Sequence, residues 1–245
     1  MSIKKVLVTG ASRGIGEVIS RQLLNQDYSV FGTRNQSAMP KDFIENRLFT
    51  SIQVDLSDIQ SMIKSLKPVL TEDPPDVIIN NAGIFLEADI SLDDSDWLSV
   101  WNQTVQTNLT SSALLCKWYL NSCIQHKRKG IIINIASRAA YRGDFQEYAA
   151  YAASKGGLVA FTKSIARDFS RQGILSYTIA PGFIKTEMAE SAIKQFGEEG
   201  LTKHSAFNEI TSPEEVANLV IWLAKGEVKH MSGSTFHING GSYMI

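Results

Sequence analysis

The stretch Val6-Leu7-Val8-Thr9-Gly10-Ala11-Ser12-Arg13-Gly14-Ile15-Gly16 decides the fold class. Its short apolar run reads as a buried strand and its glycines as a tight turn. The amphipathic stretch from Ile15 to Leu24 then reads as a helix. A glycine turn that feeds a helix N-terminus lets the backbone approach a pyrophosphate closely, and the exposed N–H groups and helix dipole favour its charge. A purely structural turn is the plain alternative. The position after the first strand favours dinucleotide binding, with Gly10, Ser12, Arg13, Gly14, Ile15 and Gly16 as the binding residues.

Outward from this turn, short Val- and Ile-rich runs alternate with longer stretches of helical periodicity. Strands are expected at Val6 to Val8, Ser29 to Thr33, Thr50 to Val54, Val77 to Asn80, Ile131 to Ser137, Ile174 to Ala180 and Ser234 to Ile238. Helices are expected to begin near Gly14, Asp58, Trp97, Tyr151 and Pro213, the last with Ser212 as cap. The alternation predicts an α/β fold: a single doubly wound, Rossmann-like domain over 1–245, with a seven-stranded parallel sheet flanked by helices. An acidic loop from Glu87 to Asp96 breaks the rhythm, as does a weakly periodic stretch at about 185–210, which is expected to form a mobile lid.

The composition, 44% apolar and 20% charged, is that of an ordinary globular chain. With 24 basic against 25 acidic residues it lacks the basic excess of a protein that neutralises phosphates, so no nucleic-acid partner is expected. Cys116 and Cys123 stand in a helical-looking stretch without a second Cys or His pair at zinc-ligand spacing, and no metal is expected. The segment Met1-Ser2-Ile3-Lys4-Lys5 runs straight into the first strand and reads as no signal peptide. Without an apolar run long enough to span a bilayer, no membrane partner is expected and the cytoplasm is the default location.

The second strand ends Phe31-Gly32-Thr33-Arg34, where an NAD site commonly offers a carboxylate to the ribose 2′-hydroxyl. Thr33, Arg34 and Arg13 supply instead a hydroxyl and two guanidinium forks, which suits a 2′-phosphate and favours NADP(H) over NAD(H). Asp55 can accept from the adenine amino group with Leu56 beside the ring, or it can cap the next helix. Asn80-Asn81-Ala82-Gly83 closes the fourth strand with small residues that permit close approach to a ligand and amides that can tie strands together.

Tyr151-Ala152-Ala153-Ser154-Lys155 is the most informative group. Four residues return to the same helix face, so phenol and ammonium can share one cavity, and a nearby cation favours the phenolate. This is expected to bring a group that ordinarily titrates near 10 toward the working range. Ser137, at the end of the preceding strand, can hydrogen-bond a carbonyl oxygen on which charge develops. Asn108 is a poor helix former within a long helix and can divert a backbone carbonyl or hold a water near Lys155.

Together these motifs resemble the short-chain dehydrogenase/reductase family over essentially the whole chain: T-G-x-x-x-G-x-G at Thr9 to Gly16, N-N-A-G at Asn80 to Gly83, then Asn108, Ser137 and the Y-x-x-x-K of Tyr151 and Lys155. The resemblance implies Tyr151 as acid or base, Lys155 as the ribose ligand that lowers its pKa, Ser137 as the polariser of substrate, and Asn108 as the holder of a relay water. It also implies cofactor contacts from Asn81, Ala82, Gly83, Tyr151 and Lys155, and from the nicotinamide-side loop through Pro181, Gly182, Ile184 and Thr186. Within the family, the glycine loop, the run Ala180 to Met188 and the ending His237-Ile238-Asn239-Gly240-Gly241 most resemble 3-oxoacyl-acyl-carrier-protein reductases of fatty acid biosynthesis. The segment Ser205 to Thr211 departs from them. An acyl thioester is therefore the expected substrate, with another small ketone, sugar or alcohol as alternative, and a non-catalytic NADP-sensing regulator as the alternative of another class. The family also implies a homotetramer.

Overall fold

The computed structural model describes residues 3–245; Met1 and Ser2, read above as preceding the first strand, lie outside the described residues. Seven strands form one sheet in the order β3-β2-β1-β4-β5-β6-β7, with every pair parallel. They are β1 (Lys5–Val8), β2 (Ser29–Arg34), β3 (Phe49–Gln53), β4 (Val77–Asn80), β5 (Gly130–Ile135), β6 (Ile174–Pro181) and β7 (Thr235–Ile238). The helices are α1 (Gly14–Leu24), α2 (Lys41–Ile44), α3 (Ile59–Ser65), α4 (Lys67–Thr71), α5 (Asp94–Val105), α6 (Ser111–Gln125), α7 (Ala139–Arg142), α8 (Ala149–Phe169), α9 (Glu190–Thr202) and α10 (Pro213–Ala224). The chain winds outward from β1 to β3, then returns to pair β4 with β1. This reversal opens a crevice at the carboxyl ends of β1 and β4, where open α/β sheets bind ligands.

The alternation of side chains along each strand assigns them to two cores. Val6 and Val8 of β1 face the layer built by Ile19 and Leu23 of α1 with Val216 and Val220 of α10, whereas Leu7 faces Met62, Leu115, Tyr119 and Ile165 on the other side. Every residue of β4 and β5 is buried, as expected for strands covered on both faces.

Local chemistry sets the helix starts. The Asp93 carboxylate accepts from Asp96 N at 2.9 Å, so α5 begins at Asp94, three residues before the expected Trp97. A 3₁₀ turn at Gln146–Tyr148 leads into α8 at Ala149, which puts Tyr151 in its first turn. Ser212 and Glu215 form a capping box ahead of α10. Strand β5 stops at Ile135, short of Ser137. The weakly periodic 185–210 stretch contains α9; Gly197, at φ +69°, interrupts its helical geometry and blurs its period. Among the described residues no helix is long and apolar enough to cross a membrane.

Candidate active site

Tyr151 and Lys155 stand one turn apart on α8, with Nζ 5.7 Å from the phenol ring centroid. Lys155 is 4% exposed, and its ammonium donates to the Ile135 carbonyl at the end of β5 (2.9 Å). Just past that strand, the Ser137 hydroxyl lies near the Tyr151 phenol, and its oxygen accepts from Ala139 N (3.1 Å). Burial pushes the phenol up to about 12, with the nearby Ser137 hydroxyl opposing and Asp144 adding to the rise. Burial also lowers Lys155 to about 8. The expectation that Lys155 draws the phenol down toward neutrality is therefore corrected: desolvation outweighs an ammonium whose proton is directed at Ile135. At neutral pH this leaves a protonated phenol, able to give a proton, beside a largely charged lysine.

Asn108 is 1% exposed, a buried amide within the helix. It lies in a π-helical stretch, Gln106–Thr110, between α5 and α6. Its Oδ1 accepts from Ile84 N (2.8 Å), and its amide donates to the Ile84 carbonyl (2.9 Å) and to Ser154 Oγ (3.2 Å). Both amide protons are thus spent on tying the loop after β4 to α8, which leaves a water only oxygen acceptors at this residue. Gly83 sits between Asn108 and Lys155: a Cβ built on it would lie 3.2 Å from Asn108 Oδ1 and 3.4 Å from Lys155 Nζ.

The glycine turn is closed around Thr9 and Gly10. Thr9 Oγ1 accepts from Asn81 N (2.9 Å) and Ala82 N (3.0 Å), and the Asn81 amide donates to Thr9 O (2.9 Å). Gly10 (φ +69°) and Gly14 (φ +57°) adopt left-handed backbone, and Gly16 packs so tightly that a Cβ there would lie 2.1 Å from Gly10 O. Helix α1 begins after Arg13 with no side chain capping it, so its first N–H groups remain for a ligand. On the other wall, Pro181 O accepts from Arg138 N (2.8 Å), Gly182 N donates to Ile238 O (2.8 Å), and buried Ile184 bridges Thr211. A Cβ on Gly14 would lie 3.5 Å from Thr186 Cγ2, so the two loops face each other across the crevice. Glycines without side chains, an uncapped helix start and an opposed threonine fit a dinucleotide.

At the far end the geometry is mixed. Thr33 is buried and its hydroxyl accepts from Gly10 N (3.0 Å), so it shapes the turn. Arg34 reaches Gln53 Oε1 (3.2 Å) and Asn35 O (3.4 Å), while Arg13, largely exposed, pairs with Glu187 at 3.2 Å. Both guanidinium groups remain accessible at the rim. Asp55 neither caps α3, which Asp58 does, nor stands free: its Oδ1 accepts from Ser57 N and Oγ (2.8 and 2.7 Å). Leu56 is buried. Asn80 belongs to the scaffold, its amide donating to Asn134 Oδ1 (2.7 Å), whose own amide reaches Thr162 on α8 (2.8 Å).

A family model of short-chain dehydrogenases, described as enoyl-(acyl carrier protein) reductase, matches residues 10–243. The 3-oxoacyl-acyl-carrier-protein reductase FabG of Vibrio harveyi is 34% identical over 247 residues, which cover 99% of this chain and 98% of that one. The enzyme of that name from Escherichia coli K12 is 34% identical over 248 residues with the same coverage. The chain belongs to the short-chain dehydrogenase/reductase family. Among solved structures, 4-hydroxyisoleucine dehydrogenase complexed with NADH superposes with a TM-score of 0.86 at 25% identity, covering 97% of each chain. A short chain dehydrogenase family protein from Francisella tularensis gives 0.84 at 26%, covering 98% of this chain and 99% of that one. This member of the family is an NAD(P)-dependent oxidoreductase that interconverts carbonyl and alcohol groups.

Three contributors of this short-chain dehydrogenase/reductase escaped the sequence reading. Thr9 and Ser154 lie inside the motifs, where a hydroxyl at a strand end and one beside the lysine were available signals. Arg138 gave none. It is 8% exposed, lowered to about 10 by burial and by Arg142, hydrogen-bonded to Ser242 Oγ (2.5 Å), and stacked 4.6 Å from the Phe183 ring centroid. It ties the C-terminal segment to the loop that follows β6.

Proposed function

We propose that this protein is an NADPH-dependent reductase of 3-oxoacyl thioesters. One observation carries the chemistry: Tyr151, its phenol beside the Ser137 hydroxyl, stands one turn from a buried Lys155 at the crevice faced by the glycine turn and the Thr186 loop. The dinucleotide is held by backbone N–H groups from Ser12 to Ile15, by Asn81 to Gly83, and by Pro181, Gly182, Ile184 and Thr186, with Tyr151 and Lys155 meeting its ribose. When bound, a dihydronicotinamide supplies hydride. Ser137 orients the substrate carbonyl and Tyr151 delivers a proton to its oxygen. Lys155 offsets the charge left on the phenolate, an electrostatic contribution strengthened by burial. The positive rim of Arg13 and Arg34 supports a 2′-phosphate, and the four-residue Tyr–Lys spacing supports carbonyl over enoyl reduction.

A different small ketone is the second reading, favoured by Ser205 to Thr211. This departing segment pairs through Thr211 with Ile184 and through Ala206 N with Gly240 O (2.7 Å), and so borders the substrate side. The 185–210 segment, with exposed Met188, Phe196 and Phe207, is proposed as the lid of one 1–245 domain. A cytoplasmic homotetramer using edge strand β7 and α8 completes the proposal. Loss of NADPH absorbance with acetoacetyl thioesters, abolished in Tyr151→Phe, tests it. Turnover of other ketones alone would select the second reading, and cofactor binding without any turnover would leave a sensor.

A further inference from the structure

Phe85 directly follows the Asn81 to Ile84 turn, and the residue is 36% exposed. It meets Tyr151 edge-on, centroids 4.8 Å apart and planes at 88°, and stacks on Tyr148 at 4.0 Å and 12°. The pair is held rigidly. Tyr148 Oη donates to Glu87 Oε1 (2.5 Å), Ala88 N to Glu147 O (2.8 Å), and Ile90 N to Gln146 Oε1 (3.0 Å), while the Gln146 amide donates to Asp89 Oδ2 (2.6 Å). The Phe85 ring stays open beside the phenol that must touch the reacting oxygen, so a group on the carbonyl carbon comes within its reach.

Carboxylates predominate around the Tyr148 side of the platform, away from Lys155. Glu87, Asp144 and Glu147 all raise the Tyr148 phenol, Asp144 also acts on Tyr151, and Asp89 is fixed to the same turn. The neighbouring cation, Arg142, pairs with Asp144 at 3.7 Å. A carboxylate brought there meets net repulsion.

We propose that Phe85 and Tyr148 form an aromatic platform selecting substrates whose carbonyl carbon carries an uncharged aryl or flat apolar group, and that the surrounding carboxylates reject anionic substituents. The proposal rests on the carbonyl-reductase reading and specifies its substrate class. The probes are N-acetylcysteamine thioesters of acetoacetate, benzoylacetate and 4-carboxybenzoylacetate, assayed with NADPH. Wild type is expected to favour the benzoyl over the methyl compound in kcat/KM by about tenfold, and over the carboxybenzoyl compound by at least as much. Phe85→Leu, which keeps volume without a ring, should erase most of the first preference through KM, Phe85→Trp should restore it, and Glu87→Gln should narrow the second. Equal turnover of all three by wild type, or a benzoyl-to-methyl ratio unchanged in Phe85→Leu, overturns the platform. Absence of all turnover overturns the thioester-reductase reading instead, and calorimetric binding of the benzoyl thioester to the NADPH-loaded protein then decides the platform: weaker binding to Phe85→Leu sustains it, and equal binding overturns it.

Discussion

Gly83 leaves open the space between the Lys155 ammonium and Asn108: a Cβ on residue 83 would stand in contact with Nζ at 3.4 Å and, closer than most real contacts, 3.2 Å from Asn108 Oδ1. A lysine amine is normally a mobile, hydrated group. Here it is buried, aimed at Ile135 O, and flanked by a residue chosen for lacking a side chain. Gly83→Ala should displace the Asn108 amide by a few tenths of an ångström and crowd Nζ. The expected loss is about tenfold in kcat/KM, as small misplacements at a reacting centre are costly, with little change in melting temperature. Full activity in that variant would mean that the lysine position is tolerant.

Burying the Lys155 charge costs stability. The unfolded chain binds its proton up to the ordinary 10.5, the folded one only to about 8, so the cost is complete below pH 8 and fades as pH rises from about 8 toward 10.5. Lys155→Met should therefore abolish reduction yet stabilise the fold at pH 7 by on the order of 1–3 kcal/mol, partly offset by the lost bond to Ile135 O. Chemical denaturation at pH 7 and pH 10 checks this: the advantage of the variant must shrink at the higher pH.

The same two groups set a pH profile for reduction. Tyr151, pushed up to about 12, stays loaded with its proton across the accessible range, while Lys155 loses its charge near 8. With a non-titrating ketone, kcat/KM for reduction should be flat below pH 7 and decline with a midpoint near 8. A profile still rising at pH 9 would exclude the charged lysine as the form that works.

At the rim, Arg34 carries no carboxylate partner among the described residues and can turn toward a 2′-phosphate. Removing a charge-assisted contact costs roughly 1.5–3 kcal/mol, so Arg34→Ala should raise KM for NADPH by about 10–100-fold and leave NADH unchanged. Parallel losses with both cofactors would show that Arg34 shapes the strand end.

Gly16→Ala places a methyl 2.1 Å from Gly10 O, a backbone atom that cannot swing aside. The glycine turn must open, and both the melting temperature and its increase on adding NADPH should fall, with a destabilisation of about 1–3 kcal/mol. An unchanged NADPH-induced shift would dissociate the turn from cofactor binding.

The sequence by itself determined the parts governed by nearest neighbours and by period. Val6 to Val8 read as a strand because short apolar runs bounded by glycine do, Ser212-Pro213-Glu214-Glu215 read as a helix start because its cap is local, and the Tyr151–Lys155 pair could be placed on one face because a helix turn is four residues. Only the tertiary structure decided what depends on who else is near. Whether Asp55 capped α3 or folded back on Ser57 was a choice among partners of similar strength. Thr33 turned inward because Gly10 N needed an acceptor, and Asn108 acquired its π-helical setting because Ile84 and Ser154 claimed its amide. The phenol of Tyr151 moved up, against the local expectation, because desolvation sums over every atom packed around a group, and those atoms come from β5, α8 and the loop after β4, segments that meet only when the sheet is formed.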